Sequence, residues 1–538
     1  MVKNFSPVNS YAIDFGTSNT VISRWNPVTN RPDTIKIPQI SQQIADAPPL
    51  IPSLLYIKDA ARTEVLLGQQ VRDRGLNLTD DPRFFRSFKR GIGADIQGFL
   101  PELDGKPLSF EAIGQLYLQQ IIQQLKATSL PEIESLVLTV PVDSFEVYRL
   151  WLTDICRSLE IERVRIIDEP TAAALGYGLE NKQLLLVIDF GGGTLDLSLI
   201  QLETEQKNNP GFILKWGEKL LGESKAQKPR IAKVIAKAGQ NLGGADIDNW
   251  LVDYFVTQQN LPKSSLTTYL AERLKIKLSS QSKATEAYFD DETLDSYQLS
   301  LDREQLTQIL DSQGFFAQLD SLMSKILQQA RRNGVEIADI ENVLLVGGSV
   351  QIPQVQSWVK NYFPSNKIVC DRPLTAVAEG ALQVAKGIEI KDFLYHSYGI
   401  RYWNRREKRH DWHPLIKSGQ PYPMAQPVNL TLGASVANQP YIELILGELS
   451  SETVPTEVYF DGDRLVTRNI GSQQIHVKPL NDREGAKTLA TLEPLGNPGS
   501  DRIELEFRVD EKCCLRVTSK DLLTGETLLY SQVIARLK

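Results

Sequence analysis

The chain has 538 residues, the length of about three or four ordinary domains. Hydrophobic residues make up 42% of it and charged residues 23%, which excludes a wholly disordered, collagen-like or coiled-coil chain. Its 59 Lys and Arg against 66 Asp and Glu give a net charge of −7, so we expect no bulk attraction to nucleic acid or to an anionic membrane.

The ends of the chain and its cysteines predict where it resides. No run approaches about 20 apolar residues, so we expect no membrane-spanning helix. The first ten residues, MVKNFSPVNS, lack the apolar core of a signal peptide. Four cysteines are too few for a disulfide framework in this length. These features predict reduced thiols and a cytoplasmic protein.

The chain contains two successive regions with different patterns of apolar and polar residues. Residues 1–385 alternate short apolar runs, such as SLVLTVP and LLLVIDFGGG, with amphipathic stretches such as FEAIGQLYLQQIIQQLKA. That alternation predicts α/β layers. Residues 398–538 contain short alternating runs such as YIELILGE and RIELEFRVD, which predict an all-β module. Residues 386–397 are the expected linker.

The tripeptide Asp-Phe-Gly occurs twice, at Asp14–Gly16 and Asp189–Gly191, each time after an apolar run. We expect the first strand to end at Ile13, which leaves the carboxylate at its end before a glycine turn. Such turns offer backbone N–H groups to phosphate, and glycine lets phosphate oxygens approach closely. Either copy alone is compatible with a plain turn in a β-meander. Two copies favour a phosphate site and predict a repeated supersecondary unit.

A third carboxylate lies between these copies, in the segment RIIDEPTAAALGYG. We expect Glu169 to end a strand and Pro170 to precede a helix, which is by itself an ordinary strand-to-helix turn. Together with Asp14 and Asp189, Glu169 could hold a hydrated Mg²⁺, which prefers oxygen ligands and keeps several waters.

With these motifs the chain resembles the 70-kDa heat-shock chaperone family, the DnaK-like branch of the actin and sugar-kinase ATPase superfamily. IDFGTSNT resembles the first phosphate loop of the family, IDFGGGTLD the second and LLVGGSVQIP the adenosine loop. LVLTVPVDSFEVYR, DEPTAAALGYG, NLGGADIDNWLV and AERLKIKLSS complete the family's order of motifs. The resemblance implies an α/β actin-like two-lobed ATPase domain followed by an all-β peptide-binding-like sandwich.

The resemblance also implies roles for the matched residues. Asp14, Glu169 and Asp189 would hold Mg²⁺ through its waters, and Lys89 would orient the water that attacks the γ-phosphate. Asp196 would lie near that water or near a monovalent cation such as K⁺. The implied catalytic set is Lys89, Glu169, Asp189, Thr194 and Asp196. The implied nucleotide contacts are Gly16, Thr17, Ser18, Asn19, Gly191, Gly192, Gly193, Thr194, Gly243, Gly244, Glu272, Lys275, Ser279, Gly347, Gly348 and Ser349. The implied coupling residues are Pro141, Arg149, Arg165 and Asp392.

Residue type alone leaves plainer interpretations open. Lys89 would otherwise be a surface lysine, and Arg165 a surface arginine at a strand end. Glu272, Lys275 and Ser279 share one helical face, which would otherwise be a solvated face.

Several positions depart from the family's pattern. Ile276 and Gln351 stand where the family has two arginines that enclose adenine, so we expect weaker stacking and lower nucleotide affinity. In the linker, the stretch IEIK places Glu389 and Lys391 where the family has apolar residues, so we expect weaker coupling between the domains. The basic run at 401–409 is expected to be a solvated hairpin rather than a nucleic-acid contact.

The leading hypothesis is a chaperone-like ATPase in which water attacks the γ-phosphate directly and the nucleotide state sets the affinity for unfolded or extended peptides. A J-domain co-chaperone and a nucleotide exchange factor are the implied partners. A small-molecule kinase and an actin-like scaffold or filament protein remain alternatives. The sequence contains no helical lid after its β region, so we expect fast, low-affinity peptide exchange.

Overall fold

The computed structural model describes residues 9–43, 47–93, 101–128, 133–141, 148, 151–152, 155–156, 161, 163–178, 183–204, 230–290, 294–385, 394, 397–404, 409–416, 422–424, 426–449, 456–461, 464–469, 477–480, 487–499, 501–510 and 513–537. They form two compact units. The first lies within Met1–Asn208, Leu214–Glu389 and Thr456–Asn469, and the second within Ile390–Pro455 and Ile470–Lys538. The domain boundaries at 385 and 398 stay predictions, because most of the expected linker lies outside the described residues.

Strands and helices alternate in the first unit. Its strands up to residue 385 are β1 (Ser10–Phe15), β2 (Asn19–Asn26), β3 (Arg31–Thr34), β4 (Ile51–Pro52), β5 (Leu54–Asp59), β6 (Glu64–Leu67), β7 (Phe84–Arg86), β8 (Glu102–Leu103), β9 (Lys106–Pro107), β10 (Ser135–Val140), β11 (Arg163–Asp168), β12 (Leu184–Phe190), β13 (Leu195–Thr204), β14 (Arg230–Gln240), β15 (Lys283–Phe289), β16 (Ser296–Asp302), β17 (Asn342–Val346) and β18 (Ile368–Val369). Its helices are α1 (Gln69–Arg72), α2 (Phe110–Thr128), α3 (Glu169–Gly176), α4 (Gly244–Gln259), α5 (Ser265–Ser280), α6 (Arg303–Ser312), α7 (Phe315–Arg332), α8 (Pro353–Lys360) and α9 (Ala376–Ala385). None of these described helices is long and apolar enough to cross a membrane.

The first large sheet has the strand order β11-β10-β1-β2-β3, and β4 pairs with β2. Strands β1 and β2 form an antiparallel hairpin, while β1, β10 and β11 run parallel. All six residues of β10 are buried, as expected for a parallel strand that is covered on both faces.

The second large sheet has the order β14-β13-β12-β17-β18. It repeats the design of the first, because β12 and β13 form an antiparallel hairpin and β12 runs parallel to β17. The predicted repeat of one supersecondary unit is therefore confirmed. The expectation that the first strand ends at Ile13 is wrong, because Phe15 still pairs with Thr20 across the hairpin. Asp14 and Asp189 are thus the penultimate residues of their strands.

Helix α3 begins directly after β11 because Asp168 caps it. The Asp168 carboxylate accepts the Thr171 backbone N–H at 2.9 Å, a common way for a helix to begin. Pro170 fits in the first turn, where its missing N–H has no partner to lose. The expectation that Glu169 ends a strand is therefore wrong: Glu169 is the first residue of the helix.

Helices α3 and α9 cross with their backbones almost in contact. A Cβ atom on Gly176 would lie closer than 3.0 Å to the Ala376 carbonyl, and one on Gly380 closer than 3.0 Å to the Ala172 carbonyl. Only glycine at these two positions allows so close a crossing. The position of the N-terminus of α3, and with it Glu169, thus depends on α9.

Every regular element described after residue 396 is a strand. These strands are β19 (Ser397–Asn404), β20 (Arg409–Ile416), β21 (Val428–Gly433), β22 (Gln439–Leu444), β23 (Leu446–Leu449), β24 (Thr456–Asp461), β25 (Arg464–Asn469), β26 (Val477–Pro479), β27 (Lys487–Gly496), β28 (Asp501–Val509), β29 (Cys514–Asp521) and β30 (Thr527–Arg536). The larger sheets have the orders β20-β19-β23-β26 and β21-β28-β29-β30, and β22 pairs with β27. The described part of this region is therefore all-β, in agreement with the prediction.

Strand β28 shows how the second unit is stabilised. Ile503, Leu505 and Phe507 are fully buried in its core, and Glu504 and Arg508 between and after them are exposed, as the two-residue period of a strand requires. Arg502 is also buried, and its guanidinium donates two hydrogen bonds of 2.8 Å to the buried Asp521 carboxylate. The arginine and two backbone N–H groups hold the pKa of Asp521 below its ordinary value.

We expect Arg502→Leu to lower the free energy of unfolding of the second unit by about 3 kcal/mol at pH 7, because a buried carboxylate is left without its partner. The folded-state pKa of Asp521 is depressed. The pair's contribution is therefore complete above the unfolded-state pKa of about 3.9 and is lost as the pH falls through the folded-state pKa. Urea denaturation at pH 7 and at pH 3 should show the difference between variant and wild type shrinking in acid.

The matched control is Arg508→Leu on the same strand, since Arg508 pairs with Glu506 at the surface. It should cost less than about 1 kcal/mol. Equal losses in the two variants would show that burial of the Arg502 pair is unimportant.

Candidate functional site

Two carboxylates at the ends of the repeated hairpins form the base of the candidate site. Asp14 lies on β1, and its Oδ1 accepts the Thr139 hydroxyl of β10 at 2.7 Å. Asp189 lies on β12, directly opposite Asp196 of β13. Each hairpin therefore places one acidic group at the edge where its sheet meets a glycine turn.

The third carboxylate, Glu169, forms a buried ion pair with Lys89. The Lys89 Nζ lies 2.8 Å from Glu169 Oε1, and each residue is 8% exposed. Lys89 belongs to the 3₁₀ turn Phe88–Gly91. The interpretation of Lys89 as a surface lysine is therefore wrong. Burial would lower the pKa of the ammonium, but Glu169 and Asp14 outweigh burial and hold this pKa above its ordinary value.

The acidic groups are close enough to influence one another. Burial first, and then the charge of Glu169, raise the pKa of Asp14 to about 6. Burial, followed by Glu169 and Asp196, raises the pKa of Asp189 well above its ordinary range. A bound cation would relieve this repulsion, and oxygen donors suit Mg²⁺. Among the described residues, no group of three or more acidic, histidine or cysteine side chains is arranged to hold a metal ion.

The two predicted phosphate loops lie against each other. A Cβ atom on Gly192 would lie closer than 3.0 Å to the Ser18 hydroxyl, and one on Gly193 would lie 2.8 Å from the Thr17 hydroxyl. The Gly191 N–H donates to the Thr194 carbonyl at 3.0 Å and closes the second loop. In the first loop the Ser53 hydroxyl donates to the carbonyl of Gly16 at 2.7 Å, and Asn19 begins β2.

The N-terminus of α4 closes on the second loop. The Gly244 and Ala245 N–H groups donate to the Gly191 and Gly192 carbonyls at 3.1 Å and 2.8 Å. A Cβ atom on Gly243 would lie closer than 3.0 Å to the Gly192 backbone. These hydrogen bonds occupy the first N–H groups of the helix and hold its positive end beside the glycine loop.

The predicted adenosine loop meets the same turn. The Ser349 hydroxyl donates to the Gly191 carbonyl at 2.8 Å. Gly347 has a φ of +87° and would bring a Cβ atom closer than 3.0 Å to the Phe190 carbonyl. Gly348 follows at the start of the 3₁₀ turn Gly348–Gln351.

The predicted nucleotide-contacting residues of helix α5 differ in how they relate to the loops. The Lys275 Nζ donates to the Gly244 carbonyl at 2.8 Å and pairs with Asp248 at 2.8 Å, so the structure brings Lys275 to the loops. The Ser279 hydroxyl donates to the Lys275 carbonyl of its own helix. Glu272 is half-buried and Ile276 is 58% exposed.

The predicted coupling residues are only partly described. Arg149 and Asp392 lie outside the described residues, and Pro141 is half-buried after β10. Arg165 is 8% exposed, and its guanidinium donates to the Val384 carbonyl in the last turn of α9. The interpretation of Arg165 as a surface arginine is therefore wrong.

One ion pair was missed by sequence reasoning. Arg90 donates to both carboxylate oxygens of Asp246 at 3.1–3.2 Å, and its side chain is 2% exposed. Asp246 also accepts the Gly243 N–H at 2.8 Å. The pair ties the turn that contains Lys89 to the N-terminus of α4. Its partners are 156 residues apart, and no local pattern connects them.

Comparison with known proteins agrees with these motifs. The family model described as Hsp70 protein matches residues 94–207 and 231–404, more than half of the chain. The chain belongs to the Hsp70 family. The family resemblance drawn from the motifs is thus confirmed. The model's match begins after Lys89, so the first phosphate loop and Lys89 lie outside it.

Curated relatives within the Hsp70 family include two chaperones. The chain is 27% identical over 504 residues to chaperone protein dnaK1 of Synechocystis sp., which covers 86% of this chain and 64% of that protein. It is 26% identical over 395 residues to the chaperone protein HscA homolog of Shewanella frigidimarina. That match covers 69% of this chain and 56% of that protein. The chain thus spans less than two thirds of the length of either relative.

We expect Gly243→Ala to destabilise the first unit, because the added Cβ would meet the Gly192 and Gly193 backbone, which cannot move aside cheaply. Overpacking of this kind costs about 1–3 kcal/mol, and thermal unfolding should show a lower midpoint. Gly348→Ala is the control, since its Cβ would meet only the Leu374 side chain at 3.8 Å. Equal midpoints for the two variants would contradict the close approach.

Proposed function

We propose that this chain is an Hsp70-type molecular chaperone whose first unit, an actin-like two-lobed fold, binds and hydrolyses ATP. The observation that carries the proposal is the buried Lys89–Glu169 pair, which lies among the acidic groups of both hairpins. Geometry of this kind suits phosphoryl transfer, in which the protein mainly positions groups and stabilises charge.

The phosphates would be held by the two glycine loops. The hydroxyls of Thr17 and Ser18 lie against Gly193 and Gly192, so hydroxyl donors of the first loop lie beside the backbone of the second. The N-terminus of α4 adds its dipole there. Mg²⁺, when bound through its waters by Asp14, Glu169 and Asp189, would neutralise charge on the phosphates.

Lys89 would act on the attacking water and on the charge of the transferring phosphoryl group. Its ammonium is held by Glu169 Oε1 and retains two further N–H donors. A fixed cation in a dry site stabilises developing negative charge more strongly than one in water. No protein nucleophile is needed, and the role proposed for Asp196 is to lie near the attacking water or a K⁺ ion.

The base would lie along α5. Ile276 is 58% exposed and Gln351 is exposed, so the purine would meet an aliphatic surface and an amide instead of guanidinium groups. Glu272, Lys275 and Ser279 would provide polar contacts to the nucleoside. Because cation–π attraction is absent at both positions, affinity for nucleotide should be lower than with arginine there.

The second unit would bind substrate. Its antiparallel sheets are proposed to form a β-sandwich that takes unfolded or extended peptides along sheet edges and apolar pockets. Both curated relatives are named chaperone proteins, which supports this assignment. A J-domain protein and a nucleotide exchange factor are the proposed partners, and the cytoplasm is the proposed location.

The test of the proposed function is Lys89→Ala. We expect single-turnover ATP hydrolysis to fall by about 10³-fold or more, with ATP binding retained, because Lys89 contributes charge stabilisation rather than binding. Radiolabelled ATP would measure the turnover, and calorimetry the affinity. Lys58→Ala, at an exposed position on β5, is the matched control and should behave as wild type.

Hydrolysis by the wild type should also rise with an added J-domain protein and with an unfolded peptide. Near-normal turnover in Lys89→Ala would remove the catalytic assignment. Absence of ATP hydrolysis in the wild type, or transfer of phosphate to a sugar, would reject the chaperone ATPase itself.

A second prediction concerns Arg165. We expect Arg165→Ala to keep basal ATP hydrolysis and to lose stimulation by a J-domain protein, because the variant frees the Val384 carbonyl at the end of α9. Steady-state ATPase assays with and without the J-domain protein would measure this. Arg165→Lys, which keeps a charged donor, should retain part of the stimulation. Full stimulation of the alanine variant would assign Arg165 a packing role alone.

A further inference from the structure

Five aromatic rings pack against one another beside Lys89, and two of them lie over its ammonium. We call them the aromatic cage: Phe15, Phe88, Tyr117, Tyr148 and Trp151. Neighbouring rings in the cage have centroids 5.3–6.2 Å apart, the range of favourable aromatic pairs. The cage is drawn from strand β1, the 3₁₀ turn Phe88–Gly91 and helix α2, together with Tyr148 and Trp151.

Two rings of the cage flank the ammonium. The Lys89 Nζ lies 5.5 Å from the centre of the Phe15 ring and 5.9 Å from that of Tyr148. Rings at this distance attract a cation while excluding water from it. Since Glu169 Oε1 takes one N–H donor, the rings restrict where the other two can point.

Tyr148 also fixes the backbone of Lys89. Its hydroxyl donates to the Lys89 carbonyl at 2.7 Å and is buried. The turn there needs such support, because Ser87 before it has a φ of +54°, a conformation that non-glycine residues adopt at some cost. Tyr148 therefore contacts both ends of the residue, the carbonyl and the ammonium.

Tyr148 is itself held firmly. Its ring meets Trp151 edge to face at 5.6 Å, and the indole N–H of Trp151 donates to the Glu111 carbonyl of α2 at 3.1 Å. A Cβ atom on Gly114 would lie 2.8 Å from the Trp151 ring. Trp151 thus lies directly on α2, which gives Tyr148 a rigid support.

We propose that Tyr148 is a positioning residue that holds Lys89 in its hydrolysis-competent place, its hydroxyl fixing the lysine backbone and its ring, with Phe15, fixing the ammonium. The inference rests on the proposed ATP hydrolysis at this site, which it deepens. The role is indirect, because the structure gives Tyr148 contacts to Lys89 rather than to the glycine loops.

The test uses Tyr148→Phe, which removes only the hydroxyl, and Tyr148→Leu, which also removes the ring. The phenylalanine variant should fold, because the Lys89 carbonyl keeps the Ile92 N–H at 3.2 Å. We expect its single-turnover hydrolysis of ATP to fall about tenfold, as the loss of one hydrogen bond suggests, with nucleotide affinity changed less than twofold. Single-turnover hydrolysis by the leucine variant should fall further.

A second measurement does not depend on hydrolysis. The full chain, without nucleotide, is treated with an amine-reactive acylating reagent, and modification of Lys89 is followed by mass spectrometry of its peptide. Lys89 should react slowly in the wild type and several times faster in Tyr148→Leu, with Tyr148→Phe between them. Tyr362→Phe is the matched control, because its hydroxyl donates to Asp320 at 2.7 Å away from the cage.

The outcomes separate the two proposals. A wild type that does not hydrolyse ATP rejects the proposed function, whereas equal Lys89 labelling in wild type and Tyr148→Leu overturns the positioning role. A Tyr148→Phe variant that hydrolyses ATP at the wild-type rate also overturns the positioning role. A drop in rate that matches an equal drop in nucleotide affinity, or that Tyr362→Phe reproduces, would assign Tyr148 a structural role alone.

Discussion

The ion pair between Lys89 and Glu169 is the interaction on which the arrangement of the site depends. Both groups are 8% exposed, and a charge removed from water is tolerated only when a partner compensates it. The pair can therefore exist only where the surrounding elements hold both side chains in place and keep water away from them. The aromatic cage dries one side of Lys89, while the cap at Asp168 and the glycine crossing with α9 fix the helix that begins with Glu169.

A second constraint is the closeness of three backbones. Gly192, Gly243 and Gly347 each lie where a Cβ atom would come closer than 3.0 Å to a neighbouring atom of the backbone or of Ser18. Glycine removes the side-chain layer that normally separates chain segments, so the separate loops can hydrogen-bond to one another through their backbones. The Arg90–Asp246 pair joins the same region to the turn of Lys89, so the position of Lys89 is linked to that of the glycine loops.

The sequence predicted the elements that local patterns encode. Apolar runs ending in Asp-Phe-Gly predicted the two hairpins, and short alternating runs predicted the β-rich second unit. The predicted strand end was wrong by one residue. The sequence does not reveal that Asp168 caps the helix, because this role depends on the hydrogen bond from the Thr171 N–H to its carboxylate. Arg90 and Tyr148 could not be recognised, since their contacts cross 156 and 59 residues and depend on tertiary packing alone.

The end of α9 is connected to the site through a short path of rigid elements. The Arg165 guanidinium holds the Val384 carbonyl, and Arg165 lies on β11 only four residues before Glu169. The same helix crosses α3 at Gly176 and Gly380 with no side chain between the backbones. A displacement of the last turn of α9 therefore acts on Glu169 both through β11 and through α3. Because interiors are close-packed and deform little, such a displacement would be felt at the Lys89–Glu169 pair. The last turn of α9 is therefore a place from which a mechanical change is transmitted to Lys89 and Glu169.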